Sequence, residues 1–124
     1  MINPLTIEPT EDTPRIELNA AKNLFEISLR SLPEDPTGFY SPVVAWLSNY
    51  SQSPNSTTPF SFKLEYFNTA SAKQLLKILF MLQDLSSKSE VTVDWHYEQG
   101  DKDMQSSGER YSKLVNLKFN MIGY

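Results

Sequence analysis

Thr69 and Ser71 stand where an alternating segment gives way to a helical one, and that placement is where the chain could do chemistry. The run Leu64-Glu65-Tyr66-Phe67-Asn68-Thr69-Ala70-Ser71-Ala72-Lys73 reads as a strand, three small polar residues and a helix. The first N–H groups of a helix have no intrahelical partner, and the helix dipole adds partial positive charge there. An oxyanion placed at such a mouth is stabilised. A phosphorylated hydroxyl suits this position, with Thr69 as the candidate acceptor and Ser71 as the second choice. The ordinary use of the same residues is capping, in which Asn68 or Thr69 supplies an oxygen to an orphan amide.

A second group of reactive side chains lies further along. Asp94, His96 and Glu98 alternate on one strand face, and Asp101 and Asp103 follow closely. An imidazole and carboxylates could converge there on a metal, so a small metal-dependent enzyme is the alternative reading. Against it, alternate polar residues mark any solvated strand face, and the chain has one histidine. No nucleophile elbow accompanies that histidine, and the glycines at 38, 100, 108 and 123 are too dispersed for a phosphate loop. The expectation is a chain without catalytic residues, metal or cofactor.

These segments sit in 124 residues, the size of one domain spanning 1–124 that can bury a core without staples. Fifteen acidic against eleven basic residues leave a charge of −4, and the lysines are scattered, which does not suit nucleic acid. The absence of cysteine excludes disulfides, thiolate ligands and cysteine nucleophiles. Met1-Ile2-Asn3-Pro4-Leu5 lacks the basic start and apolar run of a signal peptide, and no segment is long enough to insert in a membrane. The cytoplasm is the expected compartment.

The elements that must position the hydroxyls follow from periodicity. Residues 13–18 and 24–29 alternate around a short polar turn and read as a hairpin. Residues 31–38 carry two prolines and a glycine and read as a loop. Ser41-Pro42 then offers a helix start for Val43, Trp46, Leu47 and Tyr50. Residues 51–59 read as an exposed connection, followed by a strand burying Phe60, Phe62, Leu64 and Tyr66. Leu75, Ile78, Leu79, Leu82 and Leu85 form a helical stripe that Leu76, Phe80 and Met81 broaden toward core or interface. Val91, Val93, Trp95 and Tyr97 mark the clearest strand. Met104, Gly108 and Tyr111 line one side of a further helix, and Val115, Leu117, Phe119 and Met121 a final strand. The fold expected is α/β, order ββαβαβαβ, with an antiparallel hairpin, parallel later strands and helices mainly on one face of a mixed sheet.

Several segments, in order, resemble the SiaC family of bacterial regulatory phosphoproteins: Thr13-Pro14-Arg15-Ile16, Ser31-Leu32-Pro33-Glu34, Leu64 to Lys73, Val93 to Glu98, and Asp101-Lys102-Asp103-Met104 through Gly108-Glu109. The pairing of Tyr66-Phe67-Asn68-Thr69 with Trp95-x-Tyr97 is the specific part. The resemblance implies a fold similar to the STAS domains of anti-sigma factor antagonists, with Thr69 as the phosphorylated residue. It implies a kinase of the histidine-kinase ATPase type, a metal-dependent serine/threonine phosphatase, and an effector, a diguanylate cyclase, engaged by the unmodified form to control cyclic-di-GMP signalling and biofilm behaviour. Candidate partner contacts are Asn68, Ala70 and Ser71 beside the acceptor, and Arg30, Ser31 and Glu34 from the family's Gly-Arg-Ser-x-Pro-Glu segment. Leu29 stands here where that segment has glycine. A constitutive scaffold using Phe80 and Met81 is a further alternative.

Overall fold

The computed structural model describes residues 2–124. Its strands are β1 (Leu5–Ile7), β2 (Arg15–Asn19), β3 (Leu24–Ser31), β4 (Thr57–Phe67), β5 (Glu90–Tyr97) and β6 (Lys118–Gly123). The helices are α1 (Pro36–Tyr50), α2 (Thr69–Leu85) and α3 (Lys102–Leu114). All six strands form one sheet in chain order. β1, β2 and β3 are antiparallel, and β3 through β6 are parallel. The mixed sheet is the one expected, with a short edge strand, β1, added before the hairpin.

Each parallel neighbour is reached by a helical crossover. Crossovers of one hand between adjacent strands stack their helices on one side. Ile16, Leu18, Phe25, Ile27, Phe60, Phe62, Leu64, Val93 and Trp95 point to that side and meet Val43, Leu47, Leu75, Ile78, Leu79 and Leu82 from α1 and α2. The opposite face carries Glu17, Glu26, Ser61 and Asp94 in one cross-strand row.

Three local expectations change. Helix α1 begins at Pro36, not beside Ser41-Pro42: Asp35 caps it by accepting the Gly38 N–H at 3.1 Å, and Pro42 lies inside the helix. The Asp35-Pro36 pair is the cap and first-turn proline that Ser41-Pro42 only resembles. The connection after α1 is partly pinned, because β4 begins at Thr57 and the Thr58 hydroxyl is buried against Tyr50 Oη at 2.8 Å and Ser89 Oγ at 2.7 Å. The last strand starts at Lys118, and Val115 instead ends α3 as a buried residue.

Helix α3 packs where the sequence placed it, with Met104, Gly108 and Tyr111 buried. Gly108 is needed for that approach: a Cβ there would lie 2.6 Å from Trp95 Nε1 and 2.8 Å from Met121 Cε. The indole N–H meanwhile donates to the Met104 carbonyl at 3.0 Å. The close approach of α3 seats Tyr111 edge-on against Trp95, with ring centroids 5.5 Å apart.

Candidate functional site

The site lies at the carboxyl ends of β3 and β4, where the chain turns into α1 and α2. Pairing runs Leu29 to Leu64 and then Arg30 to Tyr66, so Glu65 is an extra residue in β4. A bulge of this kind resets the alternation of side chains beyond it. Tyr66 therefore turns outward, 46% exposed, contrary to the simple alternation that put it in the core. Phe67 turns inward to Trp95 and Tyr111, at centroid distances of 6.2 and 6.4 Å. The Arg30 guanidinium lies 5.6 Å from the centre of the outward Tyr66 ring.

Leu29 occupies the position opposite this irregularity with φ +75°. A Cβ crowds the backbone in that region, and glycine adopts it without the clash. Leu29 therefore holds under strain a conformation that glycine would adopt freely.

Beyond the bulge the chain is tied at two points. The Asn68 N–H donates to the Ser31 carbonyl at 3.2 Å, and Asn68 Oδ1 accepts the Ser71 N–H at 2.9 Å. Asn68 is therefore the cap and Thr69 the first helical residue. Ser71 Oγ–H donates to the same Ser31 carbonyl at 3.0 Å. Thr69 and Ala70, held between these anchors, are exposed. As the first two helical residues they have amides that no intrahelical carbonyl can reach, and no acidic side chain occupies the first turn. An anion on Thr69 would meet those amides and the positive end of a 17-residue helix. Lys73, four residues on, shares the helix face of Thr69.

The remaining candidates divide by burial. Arg30 and Glu34 are exposed and Asn68 is half-buried. Ser31 and Ser71 are fully buried and bonded to each other at 2.9 Å, so neither offers a partner a contact or a kinase a hydroxyl while the first turn of α2 is formed. Their burial argues against the contact role expected of Ser31 and Ser71, and against Ser71 as the second-choice acceptor behind Thr69. Sequence reasoning missed Tyr40, whose hydroxyl lies 2.6 Å from Ser31 Oγ. Burial pushes that phenol up to about 12, opposed by the Ser31 hydrogen bond, so Tyr40 remains a donor.

Asp94, His96 and Glu98 do not converge. Asp94 Oδ1 accepts from Asn120 Nδ2 at 2.9 Å, His96 Nε2 is 3.4 Å from Ser61 Oγ, and Glu98 lies past the end of β5. Among the described residues no group of three or more His, Asp or Glu side chains could hold a metal. On α2, Phe80 is 42% exposed, while Met81 packs half-buried against the core. Among the described residues no helix is long and apolar enough to cross a membrane.

Comparison with known proteins agrees with this architecture. A relative from Pseudomonas aeruginosa (strain UCBPP-PA14), an uncharacterised protein, is 22% identical over 116 residues, covering 93% of this chain and 92% of its own. The structure of SiaC of Pseudomonas aeruginosa superposes with a TM-score of 0.89 at 21% identity, covering 99% of this chain and all of the other. A chain in the crystal structure of the diguanylate cyclase SiaD with its activator SiaC, from the same species, gives 0.90 at 21% identity, with 97% and 99% covered. Those superpositions establish the fold, and the model of the SiaC family of regulatory phosphoproteins matches residues 7–124. Matched over nearly its whole length, the chain belongs to the SiaC family of regulatory phosphoproteins.

Proposed function

We propose that this chain is a non-enzymatic signalling regulator of the cytoplasm whose partner choice is set by phosphorylation of Thr69. In the unmodified state it docks on a diguanylate cyclase through the surface around Thr69, Ala70, Asn68, Arg30 and Glu34, and so controls cyclic-di-GMP output and biofilm behaviour. A kinase of the histidine-kinase ATPase type adds the phosphate, and a metal-dependent serine/threonine phosphatase removes it. The observation that carries this reading is the contrast within one helical turn, where Thr69 is exposed and the Ser71 hydroxyl is buried and bonded. The diguanylate cyclase complex of the solved relative supports the class of effector.

The physical mechanism is local. Phosphate brings about 1.5 to 2 negative charges to a surface suited to a neutral hydroxyl, and a partner must then desolvate that charge. Inside the free domain the same charge is met by the helix start, so the fold persists while the partner is lost. The test is binding of the effector to three forms of the chain: unmodified, phosphorylated, and Thr69→Ala after exposure to the kinase. Phosphorylation should weaken binding by at least ~10-fold, and Thr69→Ala should bind whatever the kinase does. Kinase-dependent loss of binding in Thr69→Ala would place the control elsewhere.

A further inference from the structure

Tyr40, Ser31 and Ser71 are fully buried, and their hydroxyls join three elements: the start of α1, the end of β3 and the start of α2. Proton counting fixes the direction of every bond. A carbonyl only accepts, so Ser71 spends its proton on the Ser31 carbonyl at 3.0 Å. Ser31 then donates to Ser71 Oγ at 2.9 Å, which leaves Tyr40 to donate to Ser31 Oγ at 2.6 Å. The chain of donors has one arrangement with every proton used, and consecutive bonds of this kind polarise one another. The Ser31 carbonyl also takes the Asn68 N–H, so both lone pairs hold the first turn of α2.

The two anchors of that turn, Asn68 and Ser71, flank Thr69 and Ala70. We propose that Tyr40, Ser31 and Ser71 form a latch that fixes the presentation of Thr69 to the enzyme that modifies it, making Tyr40 and Ser71 positioning residues of the switch. The inference rests on the phosphorylation reading above and extends it to residues that touch no partner. Loss of the Tyr40 proton donor leaves Ser31 Oγ with an unfilled acceptor and loosens the turn on which Thr69 rides.

The fold supplies a matched control. At the other end of α1, Tyr50 bonds Thr58 Oγ1 at 2.8 Å, Thr58 bonds Ser89 Oγ at 2.7 Å, and Ser89 donates to the Asn55 carbonyl at 2.7 Å. This second relay is likewise buried and has no tie to α2's first turn, although the Tyr50 hydroxyl also accepts the Asn55 N–H at 3.1 Å. Tyr50→Phe, which loses two hydrogen bonds against one, should therefore lower thermal stability at least as much as Tyr40→Phe and yet leave the switch unchanged.

The experiment is amide exchange of Ser71 and Ala72 in the full chain, together with the rate of Thr69 phosphorylation by the host kinase, for wild type and both variants. Tyr40→Phe should speed exchange at those amides about five- to tenfold and slow phosphorylation several-fold, as loss of one buried hydrogen bond predicts. Tyr50→Phe should change each less than about twofold on the same reasoning. Equal effects of the two variants, or modification of Tyr40→Phe at the wild-type rate, would overturn the latch. Ser71→Ala, which removes the last hydroxyl of the relay, carries the same test should Tyr40→Phe fold poorly. A wild-type chain that takes no phosphate on Thr69 overturns the switch itself, so the two failures are distinct.

Discussion

Leu29 offers a direct test of how the bulge shapes the site. Its φ of +75° costs an L-residue roughly 1–2 kcal/mol, a term that glycine avoids. Glycine loses about 0.5–1 kcal/mol to its freer unfolded chain. Comparing Leu29→Gly with Leu29→Ala cancels the lost leucine side chain, which is 38% exposed, and isolates the backbone. The glycine variant should then be the more stable by about 0.5–1 kcal/mol, whereas in an ordinary strand alanine leads by a similar margin. Urea unfolding at 25 °C with matched slopes gives the difference, and thermal unfolding should separate the two by roughly 2–5 °C. Alanine equal to or above glycine would refute the positive φ and the strain assigned to it.

Other consequences are as specific. Gly108→Ala forces a methyl into the Trp95 indole and should cost about 1–2 kcal/mol net of the helix propensity gained, visible in urea unfolding and in the near-ultraviolet signal of Trp95. Asn68→Ala removes the cap of α2 and should cost about 1 kcal/mol, with amide exchange rising first at Ser71. Tyr40 titrates at about 12 when folded against 10.0 ordinarily, so its neutral form favours the folded state. That contribution is complete below about pH 10 and lost as pH rises toward about 12, a fall of roughly 2–3 kcal/mol that Tyr40→Phe should abolish in alkaline unfolding curves.

Periodic elements were legible in the sequence because burial enforces them. The stripe from Leu75 to Leu85, the alternation from Val91 to Trp95 and the side Met104-Gly108-Tyr111 lie buried as their spacing requires, with Tyr97 half-buried at the strand end. Where the reading departed from the structure, a local rule was satisfied twice or interrupted. Two Xaa-Pro pairs compete for the start of α1, and only tertiary placement chooses Asp35-Pro36 over Ser41-Pro42. One extra residue at Glu65 reverses the faces of Tyr66 and Phe67, and nothing in the alternation of β4 announces it. Thr69 was legible from the strand-to-helix change, whereas its relation to Tyr40 and Ser31 was not. Those partners lie some thirty to forty residues away in sequence and meet only once β3 and β4 pair.

The central claim, that Thr69 carries the regulatory phosphate, is tested most directly by fragment-ion mass spectrometry of the chain purified from its native host, with and without phosphatase treatment. The account predicts a phosphatase-sensitive phosphate on Thr69 and none on Ser71, whose hydroxyl is buried. Phosphate on another residue, or none on Thr69 while the host kinase is active, would contradict it.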